Sequence, residues 1–96
     1  MKSRLIVNPV SGSDAAPDFL QVINERLRER VGEMDIVMTV AAGDAVRAAQ
    51  QAAEAGFTNI FVAGGDGTLN EVINGLAKVE GALGRVTIGL VPLGNR

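Results

Sequence analysis

Cysteine, histidine, tryptophan and tyrosine are all missing from this 96-residue chain, and phenylalanine occurs only three times. Without cysteine there is no disulfide and no thiolate, and without histidine no imidazole. Zinc-type centres and every Ser-His or Cys-His mechanism are therefore excluded. A metal ion held by this chain must sit among oxygen ligands, which suits magnesium. So few aromatic rings leave no base-stacking surface, and a net charge of −2 leaves no basic patch, so nucleic acid is not an expected partner. No apolar run approaches the length of a membrane span, and the first residues hold no apolar signal-peptide core. The default compartment is the cytoplasm.

The chain does contain a globular composition: 47% hydrophobic and 21% charged residues argue against disorder. Its length fits one small domain. Helical and strand patterns alternate along it. Residues 4–8 (RLIVN) form a short apolar run. Residues 18–31 place Phe19, Leu20, Ile23, Leu27 and Val31 at spacings of three and four, which predicts an amphipathic helix that Gly32 can end. Residues 35–40 (DIVMTV) read as a second strand. Asp44 can cap an alanine-rich helix running to residue 55, with Gly56 after it. Asn59–Ala63 is a third strand, residues 68–78 a helix with Leu69, Val72, Ile73 and Leu76 on one face, and residues 86–91 (VTIGLV) a fourth strand. The order β-α-β-α-β-α-β with short connections predicts an α/β fold: a parallel sheet with helices on both faces, its strands continuously apolar.

Ligands of such sheets bind beyond the carboxyl ends of the strands, near the point where strand order reverses. Each expected strand is followed there by small or polar residues: Asn8-Pro9-Val10-Ser11-Gly12, then Ala41-Ala42-Gly43-Asp44 with Thr39 just before, then Gly64-Gly65-Asp66-Gly67-Thr68, then Pro92-Leu93-Gly94-Asn95. Gly32, Gly56 and Gly84, at the opposite edge, read as helix exits. A glycine-rich turn that runs straight into a helix offers several backbone N–H groups and the positive end of the helix dipole, a ready phosphate site. A carboxylate there, Asp66, makes sense if a divalent cation lies between it and phosphate, or if it acts on an attacking hydroxyl. The alternative is that Asp66 or Thr68 caps the helix and the glycines serve the turn. No lysine follows in the Walker spacing, and Asn70 stands where a dinucleotide fingerprint started at Gly65 needs glycine. Asn70 and Glu71 lie in the first turn, within reach of the same ligand or on a solvated face. Gly75, inside the helix pattern, suggests either a close helix approach or an early helix end. Ser11 and Gly12 can offer donors to a phosphate from the first loop, with Pro9 stiffening it.

In this order, NPVSG, Thr39 with Gly43-Asp44-Ala45, GGDGTLNEVINGL and VPLG resemble the catalytic domain of diacylglycerol kinases and related lipid kinases. The likeness covers residues 8–94. GGDGT alone is shared with NAD kinases, while LNEVINGL and the upstream NPVSG favour the lipid-kinase branch. The resemblance implies an N-terminal nucleotide-binding α/β domain, residues 1–96, with sheet order 2-1-3-4 and a C-terminal β-sandwich domain that this chain lacks. It implies an ATP- and Mg2+-dependent phosphotransferase acting on a diacylglycerol-like lipid hydroxyl. Carried over, Asn8, Pro9, Ser11, Gly12, Thr39, Gly64, Gly65, Asp66, Gly67, Thr68, Leu69, Asn70 and Glu71 would line the ATP site, with Asp66 in the catalytic role; the residues that ligate the metal stay open. Family members place a threonine after PLG, where this chain has Asn95. The chain alone is expected to bind Mg-ATP weakly and not to phosphorylate lipid efficiently; lipid and any peripheral membrane contact would come through the missing part, since no polybasic cluster occurs here. The alternatives are an NAD-kinase-like fragment, and a non-catalytic nucleotide-binding or assembly module, which would form a homo-oligomer.

Overall fold

The structure, a computed structural model, describes residues 2–8, 25–26, 28–30 and 32–91. Four strands form one parallel sheet: β1 (Ser3–Val7), β2 (Met34–Met38), β3 (Asn59–Ala63) and β4 (Thr87–Val91). Their order is β2-β1-β3-β4, as the 2-1-3-4 expectation required. The chain leaves β1 toward β2 on one side and returns to β3 on the other, so strand order reverses at β1/β3. Register is uninterrupted: Leu5 lies between Ile36 and Phe61, and Val7 between Met38 and Ala63.

Side chains alternate between the two faces of each strand. On one face Ile6, Ile60 and Val62 join a cluster with α1 (Asp44–Glu54), α2 (Asp66–Ala77) and the short α3 (Ala82–Arg85). On the other face Leu5, Val7, Ala63, Met34 and Val91 form a second buried cluster with Phe61 against it. The helix expected over residues 18–31 lies mostly outside the described residues. Its last turn is helical at residues 25–26 and 28–30, and Gly32 ends it in the left-handed region (φ 82°), its N–H donating to the Arg28 carbonyl at 2.8 Å.

α1 buries only alanines: Ala45, Ala48, Ala49, Ala52 and Ala53. Such a low surface lets α2 pack close, and Gly75 sits at the contact. A Cβ there would lie 3.0 Å from the Ala49 Cβ and would overlap the Val46 carbonyl oxygen. Of the two readings of Gly75, close approach is therefore the observed one, and α2 continues to Ala77. Cations from elsewhere serve the carboxyl end of α1, whose last turn has none of its own. Arg85 Nη2 donates to the Ala53 carbonyl and Lys2 Nζ to that of Ala55, both at 3.0 Å.

Four local expectations change. The strands are not uniformly buried: β1 and β3 are buried or half-buried throughout, but the edge strands β2 and β4 carry exposed Ile36, Met38 and Leu90. Asp44 is the first residue of α1 rather than its cap; Gly43 caps it, without a side-chain bond. Gly84 lies within α3, a helix the sequence pattern does not announce, and the left-handed glycine there is Gly81. Boundaries also move by a residue or two: β1 begins at Ser3, β2 ends at Met38, and α2 begins at Asp66.

Candidate functional site

The two central strands end side by side, and their continuations are tied together. Asn8 donates its backbone N–H to the Ala63 carbonyl at 2.9 Å and its Nδ2 to Thr68 Oγ1 at 3.2 Å. Thr39 follows β2 and is held onto β1: its N–H and its hydroxyl both donate to the Val7 carbonyl, at 2.8 and 3.2 Å. Thr39 is 7% exposed, so its hydroxyl proton is committed inward and its oxygen can only accept from a ligand.

β3 passes through Gly64 and Gly65 straight into α2. Gly65 is the N-cap in extended backbone (φ −92°), and its carbonyl accepts from the N–H groups of Thr68 and Leu69. No side chain caps the helix, so the alternative in which Asp66 or Thr68 serves as the cap does not hold. Asp66 is the first helical residue and is exposed, while the Thr68 hydroxyl is turned to Asn8. The opening N–H groups of a helix have no intrahelical acceptor, and here they meet no side-chain oxygen from the cap. That leaves donors and a positive dipole end facing outward.

Two depressions flank this helix start. The first is a cleft of about 360 Å³ that brings together Asn8, Thr39, Gly67, Thr68 and Glu71. Its opposite wall is Val40, Ala41, Ala42 and Ala45. The second, of about 370 Å³, opens toward β4 and gathers Gly64, Gly65, Asp66 and Leu69 against Leu90 and Val91. Asn70 lies farther round, with Asp66, Gly67, Leu69 and Ile73. Every expected site residue that is described thus borders the amino end of α2, although on two sides of it. Pro9, Ser11 and Gly12 lie outside the described residues. Ala41 and Ala42 of that wall and the apolar Leu90 are members of the surroundings that motif spacing does not single out. Their signal was position alone, following a parallel strand or near the end of one.

The β2–α1 loop that forms this wall has an internal brace. The Asp44 carboxylate accepts from the N–H groups of Val40 (2.8 Å) and Ala41 (2.9 Å) and pairs with Arg47. The two backbone donors, first Val40 and then Ala41, together with Arg47 hold the Asp44 carboxyl below its ordinary range. Across the cleft, both Glu71 carboxylate oxygens lie 3.2 Å from the Gly43 nitrogen and accept its N–H. Among the described residues no group of three or more acidic side chains could cage a metal ion. A magnesium ion, which usually binds through one or two carboxylates plus substrate phosphates and water, would need only the exposed Asp66 from this edge.

A parallel sheet with a glycine turn feeding a helix at its switch point defines the class: a parallel α/β domain with clefts at the carboxyl ends of its strands. The sequence matches the diacylglycerol kinase catalytic domain family over residues 2–96, and the chain belongs to that family. It is 40% identical over 94 residues to a diacylglycerol kinase of Bacillus subtilis, covering 98% of this chain and 30% of that protein. It is 39% identical over 91 residues to a probable lipid kinase, YegS-like, of Chromohalobacter salexigens, covering 95% of this chain and 28% of that one. A crystal structure of a diacylglycerol kinase from Bacillus anthracis superposes with a TM-score of 0.83 at 36% identity, over 97% of this chain and 33% of that chain. The chain thus spans about a third of the length of these relatives. No described helix is long and apolar enough to cross a membrane.

Proposed function

We propose that this chain is the nucleotide-binding part of an ATP- and magnesium-dependent lipid kinase that phosphorylates a diacylglycerol-like hydroxyl. The observation that carries the proposal is the uncapped amino end of α2, set at the switch point with Asp66 beside it. Family membership supports the reaction class, and in this reading the lipid site belongs to the part of the full-length relatives that this chain does not span.

In the reaction the acceptor hydroxyl oxygen bonds to the γ-phosphorus of ATP, the bond from that phosphorus to the β–γ bridging oxygen breaks, and ADP leaves. The hydroxyl proton passes to a base. Such transfer needs alignment and charge neutralisation more than covalent participation. Backbone N–H groups of the Gly64–Gly67 turn would hold phosphate oxygens, with the α2 dipole aligned to favour their charge. Thr39 and Asn8 would bound the nucleotide from the β1/β2 side. Asp66 would be this domain's carboxylate toward a phosphate-bound magnesium ion or toward the acceptor hydroxyl. The magnesium ion, when bound, supplies neutralisation of the phosphate charge.

The test is Asp66→Asn in the full-length enzyme with ATP, magnesium and diacylglycerol. Asp66 is exposed and bonds to no cap position, so the melting temperature should stay within a degree or two while phosphoryl transfer falls by about a thousandfold or more. Turnover retained at the wild-type level with an unchanged melting curve would refute the assignment.

A further inference from the structure

We infer that Glu71 is a positioning residue: it fixes the β2–α1 loop as the far wall of the cleft and does not itself bind the nucleotide. The inference rests on the nucleotide reading above for its consequence, but its geometry stands independently. Glu71 lies on α2, one side of the cleft, and Gly43 caps α1 on the other. Both carboxylate oxygens of the half-buried Glu71 are spent on one donor, the Gly43 N–H, at 3.2 Å. A charged acceptor makes this bond stronger than a neutral one of the same length. The same carboxylate stands at the positive end of the α1 dipole, where α1 has no side-chain cap of its own.

The rest of the loop has no other tie to α2 among the described contacts. Thr39 is anchored on Val7, and the amides of Val40 and Ala41 are anchored on Asp44 within the loop itself. Those bonds give the loop its shape. They do not set its distance from α2. Gly43 is the one point where the loop reaches across, and it does so with φ 91°, a conformation suited to glycine. Thr68 borders the cleft from α2 and Asn8 from the end of β1, and the two are bonded to each other, so that wall is also fixed. The Glu71–Gly43 bond is therefore the described hydrogen bond that draws the Ala41–Ala42 segment toward Thr68, beside the packing of α1 on α2 at Gly75.

Two variants in the full chain separate positioning from ligand contact. Glu71→Ala removes the acceptor; Glu71→Gln removes the charge but keeps an oxygen for the Gly43 N–H. Hydrogen exchange at the Gly43 amide, read without nucleotide, should quicken at least about tenfold in Glu71→Ala and stay near wild type in Glu71→Gln. The dissociation constant for ADP with magnesium should rise about tenfold in Glu71→Ala, because the closed loop becomes a minor state. In Glu71→Gln it should stay within about threefold of wild type, since the bond that closes the loop is kept. Unchanged Gly43 exchange in Glu71→Ala overturns the clamp. So does a Glu71→Gln protein that keeps Gly43 protected yet binds as poorly as Glu71→Ala, since Glu71 would then touch the ligand through its charge. If wild type fails to bind ADP with magnesium while Gly43 exchange follows the pattern above, the nucleotide reading falls and the clamp stands.

Discussion

Replacing Gly75 with alanine sets two known effects against each other. Helix propensity alone favours alanine over glycine by about 1 kcal/mol in a helix interior. Gly75, however, is buried against α1, where an added Cβ would overlap the Val46 carbonyl oxygen and crowd the Ala49 Cβ at 3.0 Å. A side-chain neighbour could rotate away, but a backbone carbonyl cannot, so relief requires the two helices to separate. Overpacking of this kind costs about 1–3 kcal/mol, and a clash with rigid backbone belongs in the upper half of that range. Net of propensity, Gly75→Ala should destabilise by about 1–2 kcal/mol. For a domain of this size that lowers Tm by about 5–15 °C.

Gly67→Ala is the internal control. It changes the same residue type in the same helix, but nothing lies within 4 Å of the added Cβ. Its Tm should hold or rise by a few degrees, about what propensity alone allows. Scanning calorimetry of the two variants side by side decides the matter. A Gly75→Ala protein at least as stable as wild type would refute the claim that α1 and α2 meet at backbone distance. Equal losses in both variants would show that the cost belongs to glycine replacement in general and not to the contact.

Asp44 should give stability a signature in acid. Its pKa is lowered by the Val40 and Ala41 N–H groups and by Arg47. A depressed folded-state pKa means the contribution is fully present above the ordinary value of 3.8 and is lost as pH falls through the lower folded value. The urea midpoint of Asp44→Ala should therefore lie below wild type at neutral pH, and the gap should close below pH 3.8; a gap that does not change with pH would refute the brace. Arg85→Ala removes the cation on the Ala53 carbonyl at the end of α1 and should cost about 0.5–1 kcal/mol by urea unfolding. No loss would mean that Lys2 alone serves that helix end.

The alternation of periods made the sheet legible. β1 and β3 are short apolar runs, and the intervening patterns repeat at helical spacing, so a parallel α/β sheet follows. The order β2-β1-β3-β4 came with the family resemblance, since periodicity alone does not rank strands. Exposure of β2 and β4 was not legible because an edge strand here is as apolar as a central one: Ile36, Met38 and Leu90 read like core residues until the neighbours are known. α3 escaped because residues 82–85 (ALGR) are too short for any period and contain a glycine. At the site, residue types at strand ends were readable, but pairing across the cleft was not. Asp44 before an alanine-rich helix has the look of a cap, yet its carboxylate turns back to residues 40 and 41, because Gly43 already occupies the cap position with no side chain to offer. Glu71 sits in a stretch that reads as ligand-facing, and only the fold shows Gly43 in front of it.

The glycines around Asp66 serve two physical ends that sequence cannot separate. At Gly64 a Cβ would lie 2.8 Å from Thr68 Oγ1 and 3.3 Å from the Asn8 Cβ, so the residue must be small for β1, β3 and α2 to converge. Its absence of side chain is used up by the protein itself. At Gly67 a Cβ would meet nothing, although the residue borders the cleft and is exposed. Neither packing nor backbone strain accounts for a glycine there: it is helical, lacks a positive φ, and would be favoured as alanine by propensity. What remains is the space outside the protein. A bare position on the first turn lets a ligand approach the opening N–H groups of α2 without a methyl in between. Gly64 is thus explained by neighbours the structure contains; Gly67 is not, and on the proposed nucleotide reading Gly67→Ala should weaken nucleotide binding while leaving the fold intact.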